Sequence, residues 1–398
     1  MPRSLALTAV CLFAAGSASA QNLDSYVRYE LLAPQTARVR VTLDATISKA
    51  GATSFSDVIR VGQELTDIVA TDLATGDALK VEQKVKGAVS VLLKRAVPEG
   101  GEARVRLQAS YANPSEYHSS GDALEFHRTD LPPRGAIVLP AGYEILASDM
   151  PVQVLEQADG RIAASFMQTR RFSMYIRARR MTGRPAPSVA PSTPPPTPPI
   201  ADAPPRELPM NQIRVAERAI QDRTIVYFLK EPETHAFALY HDYTAAREGE
   251  HQYVNVVRAG STVSDPSAKN LDTGEALKTR TLTGADIARE KIDIPDRVEP
   301  HTQVVLIPFP PVKKGTSVRL RISETYTDPA RYALVDGQLM WHRSFGRPRN
   351  DMVLPAGWYL TTSSIPAAIT QESDGRIRLS FWNPRPDTLD VLVRARRR

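Results

Sequence analysis

The chain repeats itself. Residues 29–80 align without a gap on residues 227–278 at a constant offset of 198, with about a third of the pairs identical. Residues 104–167 align on 319–382 at an offset of 215, with 23 of 64 pairs identical. Whatever one copy folds into, the other must fold into as well. Shared residues are therefore candidates for what the fold needs, and unshared residues for what one copy does on its own.

Within each copy the hydrophobic period is two. Val39, Val41 and Leu43 alternate with Arg38, Arg40 and Thr42, and the pattern recurs at Val105/Leu107/Ala109, Val318/Leu320/Ile322 and Val391/Val393. Alternation of this kind marks strands with one buried face. Asp159-Gly160 and Asp374-Gly375, with Thr75-Gly76 and Thr273-Gly274, supply turns between such runs, because tight hairpins need residues that tolerate positive φ. Short strands at this spacing predict an all-β protein: two tandem homologous antiparallel β-sandwich domains. A tract at 184–209 with 11 prolines separates them; proline fixes φ and lacks an amide hydrogen, so the tract is expected to be an extended spacer. The predicted organisation is an export signal at 1–20, sandwich domain 1 at 22–182, a linker at 183–210 and sandwich domain 2 at 211–398. A helix is expected at 211–223. The offset grows by 17 between the two aligned blocks, which places an insertion near 284–311 in domain 2, expected to be a surface loop and a place for specialisation.

The export reading rests on Arg3, the apolar run 5–15 and Ala18-Ser19-Ala20. Cleavage near Ala20 would remove Cys11, the one cysteine, leaving a periplasmic or secreted chain with no disulfide and no thiol nucleophile. No run approaches the roughly 20 apolar residues of a membrane-spanning helix. A net charge of +6 is mild for this length, and no nucleic-acid motif accompanies it. Arginines crowd at 177–180 and 394–398; these read as solvated strand ends, with attraction to anionic envelope surfaces as the second reading.

Two shared motifs carry the candidate site residues. His127-Arg128 matches His342-Arg343, each preceded by Tyr-x-x-Pro-x-x-Tyr (Tyr111 to Tyr117, Tyr326 to Tyr332). An arginine here either holds an anion bidentately or anchors a strand end. Leu-Pro-Ala-Gly is followed by Tyr143 in one copy and Trp358-Tyr359 in the other, an aromatic that either stacks on a ligand or plugs the sandwich. Trp341, Trp358 and Trp382 align with Phe126, Tyr143 and Met167, and aligned bulk argues for core. The candidate binding set is Trp358, Tyr359, Trp341, His342, Arg343, His127, Arg128 and Tyr143. No catalytic set is present, because a histidine without a partnered carboxylate or nucleophile is incomplete. His235, His241 and His251 do not make a metal-ligand pattern, so neither metal nor cofactor is expected.

Leu229-Lys230-Glu231-Pro232-Glu233-Thr234-His235, running into an alternating strand, resembles the opening of the N-terminal β-sandwich domain of gluzincin aminopeptidases, the glycyl-aminopeptidase branch in particular. The similarity covers about 20 residues per copy, and domain 1 keeps Pro34 and Thr36 of the motif. The resemblance implies a sandwich without peptidase activity, since the zinc-bearing helical domain of that family has no counterpart in the sequence. The expectation is a non-enzymatic binding or scaffold protein of the bacterial envelope, its partner an envelope protein or a polysaccharide such as peptidoglycan. The alternatives are a hydrolase with a site near His342 and Arg343, and an assembly subunit that pairs through its sheet edges.

Overall fold

A computed structural model describes residues 25–181, 224–294, 297–384 and 388–398. The export segment, the proline tract and the helix expected at 211–223 lie outside the described residues.

The first copy contains β1 (Tyr26–Leu31), β2 (Arg38–Ile47), β3 (Ser54–Val58), β4 (Thr66–Asp72), β5 (Ala78–Val85), β6 (Ala88–Leu92), β7 (Ala103–Ala112), β8 (Tyr117–Ser120), β9 (Ala123–Leu131), β10 (Arg134–Val138), β11 (Tyr143–Glu156), β12 (Ile162–Met167) and β13 (Phe172–Arg180). The second contains β14 (Thr224–Leu229), β15 (Ala236–Ala245), β16 (Gln252–Val256), β17 (Thr262–Asn270), β18 (Ala276–Leu277), β19 (Arg280–Thr283), β20 (Gln303–Pro308), β21 (Val318–Thr327), β22 (Tyr332–Val335), β23 (Gln338–Phe345), β24 (Arg349–Val353), β25 (Trp358–Ser363), β26 (Ala367–Gln371), β27 (Ile377–Trp382) and β28 (Leu389–Arg397). One short α-helix, α1 (Gly284–Arg289), lies between β19 and β20. The alternation read from the sequence is the alternation of burial: along β2 every second residue from Val39 to Ile47 faces the core.

Each copy is a two-layer sandwich. In the first, β5–β4–β7–β2–β1–β10–β12–β11 forms one layer and β8–β9–β13–β11 the other. Strand β11 is long enough to serve both, its first half in one layer and its second half in the other. The second copy divides the same segment into β25 and β26. Not every pair is antiparallel: β10 lies parallel to β1, and β24 to β14, because each returns beside the first strand of its copy after the chain has passed through the opposite layer. A small third sheet flanks each sandwich, β3–β6–β5 in one copy and β16–β20–β19 in the other.

The insertion is more than a surface loop. Where Lys86-Gly87 turns β5 into β6, residues 284–302 carry the chain from β19 to β20. There Ile287 of α1 is fully buried and forms an apolar cluster with Leu282, Val304 and Leu306. Gly284 lets the loop return closely, since a Cβ there would meet the Glu299 carbonyl oxygen at 2.6 Å. The polar, proline-rich sequence obscured an apolar set spread too irregularly to read as one element.

The copies meet edge to edge. Ser148 pairs with Ile369, Val152 with Ala367 and Leu155 with Thr362. Under the 215 offset Pro151 and Pro366 are equivalent, and these pairs fall symmetrically about them. The contact is thus an intramolecular version of an isologous dimer interface, the same edge presented by both partners. Each layer runs on through the join: β12–β11–β25–β28 on one side, β13–β11–β26–β27 on the other. One apolar core extends across it from Val27 to Ala395. These edges, candidates for pairing with another chain, are consumed within this one.

Part of each arginine crowd is a staple. Glu144, with a side chain 1% exposed, accepts from Arg179 of its own copy and from Arg398 of the other, each at 2.8 Å. Arg396 reaches Glu156 across the join at 2.9 Å, and Arg397 is held by Glu231 and Glu233. These four arginines are committed to carboxylates, whereas Arg177 and Arg180 of β13 are exposed, as expected of a solvated strand end.

Candidate functional site

The Tyr-x-x-Pro-x-x-Tyr and His-Arg motifs are parts of one buried network. In the first copy Arg128 donates to Glu116 at 3.0 Å, to the Tyr111 hydroxyl at 2.7 Å and to the Ile59 carbonyl at 2.8 Å. Its guanidinium lies 4.7 Å from the Tyr29 ring centroid, within cation–π range. Arg60 closes the far side of Glu116 at 2.7 Å. The second tyrosine is a latch: Tyr117 donates to the Leu32 carbonyl, and Tyr332 to the equivalent Lys230 carbonyl. In the second copy Arg343 is bound to Asp328 at 3.2 Å among the rings of Tyr227, Phe237 and Tyr326. Both arginines are spent on internal carboxylates, which leaves them ill suited to a ligand anion. His127 is exposed and His342 half-buried, so the structure does not bring His and Arg together as one site.

The aromatic candidates are core. Trp341, Trp358 and Tyr359 are at most 1% exposed, and Trp358 donates its indole N–H to Glu231 at 3.2 Å beneath the Arg397 guanidinium. Tyr143 is half-buried. The aromatic after Leu-Pro-Ala-Gly folds inward because the glycine turn reverses the chain into β11 or β25. Trp382 and Met167, whose aligned bulk suggested core, are instead 63% and 72% exposed. Alignment shows that a position keeps its size, not which way it faces. Among the described residues no group of three or more His, Cys, Asp or Glu could hold a metal ion, and no helix is long and apolar enough to cross a membrane.

The open site lies in the first copy. Between β1, β3 and the β9–β10 turn is a cavity of about 60 Å³ with Asp57, Arg128, Asp130 and Arg171 on its polar wall and Tyr29, Val27 and Val41 on its apolar one. It adjoins a groove of about 300 Å³ that shares Ser25, Asp57 and Arg171. A β-bulge between Phe172 and Met174 disturbs the β9–β13 register there. Asp130 sits beside it in the left-handed region at φ 61°, a conformation that Asp tolerates better than most residues. Arg171 is tied to the Asp130 carbonyl at 2.9 Å and carboxylate at 3.1 Å. The Asp57 carboxylate accepts the Val58 amide at 2.6 Å and forms no ion pair within 4.0 Å among the described residues. Burial pushes its pKa above the usual carboxylate value, against the Val58 hydrogen bond and Arg171.

The second copy is built differently at the same place. Asn255 stands at the position of Asp57 and donates to both oxygens of Glu324, at 2.9 and 2.8 Å. Glu324 in turn replaces Ala109. Phe345 replaces Asp130 and stacks on Tyr227 at 5.9 Å between centroids, with Phe381 5.4 Å beyond. The expectation placed specialisation in the second copy, whereas this cleft lies in the first. The signal was in the alignment as two polar positions, Asp57 and Asp130, set against Asn255 and Phe345.

A stability test follows. Because the folded-state pKa of Asp57 is raised, the fold binds this proton more tightly than the unfolded chain, and stability is lost as pH rises from the ordinary value of 3.8 through the raised one. Asp57→Asn should therefore melt higher than the wild type at pH 7, with the gain fading as pH falls below the carboxylate range. Thermal melts across pH 3–7 read this directly, and a variant less stable at pH 7 would contradict it.

No family model and no curated protein matches the chain. Solved structures do. The M1 zinc metallopeptidase of Deinococcus radiodurans matches at 15% identity over 39% of this chain and 41% of that one, with a TM-score of 0.28. The same enzyme bound to a Tyr-Ser-Ala substrate matches at 13% over 42% and 49%, with a TM-score of 0.29. An aminopeptidase N family protein from Idiomarina loihiensis matches at 11% over 38% and 29%, with a TM-score of 0.26. The chain spans less than half the length of each. The matches fit the weak resemblance to the N-terminal sandwich domain of such peptidases and say nothing about activity.

Proposed function

We propose that the chain is a non-enzymatic binding or scaffold protein of the bacterial envelope, with its ligand seat in the cleft of the first copy. The observation that carries this reading is Asp57, a half-buried carboxylate that costs the fold stability and has no cation within ion-pair distance among the described residues. Desolvated, perturbed groups in a concave site are what binding and chemistry select and what a structural role would remove. The second copy has Asn255 at this position and holds its own buried carboxylate, Glu324, with that side chain. The hydrolase reading at His342 and Arg343 draws no support from the geometry, since Arg343 is buried against Asp328.

A photo-crosslinking amino acid placed at Val58, which is 55% exposed beside the cleft, tests the proposal in the full-length protein in its own envelope. Crosslinks to a discrete partner from Val58, absent when the probe is at the equivalent Val256, are the expected result. Equal labelling from both positions, or none from either, would overturn the proposal.

A further inference from the structure

We propose that the cleft of the first copy takes an alkylammonium group, the side chain of a lysine on a partner polypeptide, with Asp57 as its counter-ion. This rests on the reading of the cleft as a ligand seat and assigns the chemistry of what enters.

Charge already spent on other partners decides what the cleft can admit. Four charged side chains line the cavity: Asp57, Arg128, Asp130 and Arg171. Arg128 is bound to Glu116, and Arg171 to Asp130. Those two pairs leave Asp57, whose one hydrogen bond comes from the amide of its neighbour. The group still to be matched is therefore negative, although the chain as a whole is basic at +6. Complementary charge fixes which ligand is admitted.

Shape narrows the class further. Val27 and Val41 supply an apolar wall along which a methylene stem can lie while its charged end meets the carboxylate, the way lysine packs elsewhere. A cavity of about 60 Å³ suits one side chain, and the adjoining groove of about 300 Å³ offers room for the backbone that carries it. Asp57 lines both, together with Ser25 and Arg171, so a side chain passing from the groove into the cavity comes within reach of its carboxylate. Bringing an ammonium to a desolvated carboxylate also removes the cost of keeping that carboxylate charged, so ligand and fold should stabilise each other.

The second copy gives an internal contrast. There the Asp57 position is Asn255, its amide already donates to Glu324, and Phe345, in place of Asp130, packs on Tyr227. The second copy thus carries its carboxylate at Glu324, where Asn255 holds it, whereas the first copy leaves Asp57 with only the amide of its neighbour.

Titration of the full-length protein with three probes tests the inference: the peptide Ala-Lys-Ala, the same peptide with norleucine for lysine, and 1,5-diaminopentane. Lysine peptide and diamine should bind, and norleucine peptide should bind at least about tenfold more weakly, as expected for a charge-assisted contact. Tighter binding of the peptide than the diamine assigns the ligand to a polypeptide; the reverse order overturns that part. Asp57→Asn should abolish the preference for lysine over norleucine while raising the melting temperature, so loss of binding is not loss of fold. Equal binding of lysine and norleucine peptides, or lysine binding unaffected by Asp57→Asn, would overturn the inference and leave the Val58 crosslinking result standing by itself.

Discussion

Asp328→Asn should destabilise the protein by about 3 kcal/mol, and adding Arg331→Glu should restore most of the loss. The Asp328 side chain is wholly buried, and its partner Arg343 is 6% exposed. Taking away the carboxylate leaves Arg343 a desolvated cation surrounded by aromatic rings, the costliest outcome of breaking a buried pair. The remedy is written in the other copy. Position 328 corresponds to Asn113 and position 331 to Glu116, so the buried acid has moved by three residues between copies while its arginine, Arg128 or Arg343, has stayed. In the first copy Glu116 serves both Arg128 and Arg60. In the second, Arg258, the equivalent of Arg60, makes do with the hydroxyl and carbonyl of Ser344. Burial, aided by Arg343 and Arg331, pushes its pKa down to about 10. The double variant recreates the arrangement of the first copy. Urea unfolding should show a coupling of at least about 2 kcal/mol between the two changes, with the single variant melting on the order of 10 °C below wild type. A double variant as unstable as Asp328→Asn alone would show that the two networks are not interchangeable.

Much of this was open to sequence reasoning, for identifiable reasons. A period of two states which residues of a strand face inward, and Val39, Val41 and Leu43 do so. Turn residues state where strands end. Neither states which strand lies beside which, so the parallel seating of β10 on β1 and the edge contact of β11 with β25 and β26 went unread. Val152 and Ala367 are ordinary strand residues until they face each other. The arginines at the chain's end looked like surplus charge because their carboxylates, Glu144 and Glu156, lie some 240 residues away or more. The cleft was legible in part. Asn113/Asp328 with Glu116/Arg331, and Asp57/Asn255 with Ala109/Glu324, are compensated exchanges of charge that the alignment displays. Reading them requires knowing which side chains converge, and that is a property of the fold.

Val152→Asp should part the two halves. Val152 is fully buried at the join, and Ala367 opposite it is 1% exposed. A carboxylate placed there is desolvated with no cation opposite, a cost of several kcal/mol that separating the edges removes. Wild-type protein, with both layers and the core continuous through the join, should melt in a single transition. The variant should melt in two, and β11 should become accessible to protease. Arg398→Ala is the milder companion: its side chain is 25% exposed and Glu144 retains Arg179, so a loss near 1 kcal/mol and a single transition are expected. Asp57, Glu116, Arg128 and Arg171 all belong to the first copy, on β3, β9 and the turns beside β8 and β13. Lysine-peptide binding should therefore survive in Val152→Asp, whereas its loss would mean that the join itself shapes the cleft. A single unshifted melt in this variant would place the cohesion of the two copies elsewhere than in the paired edges.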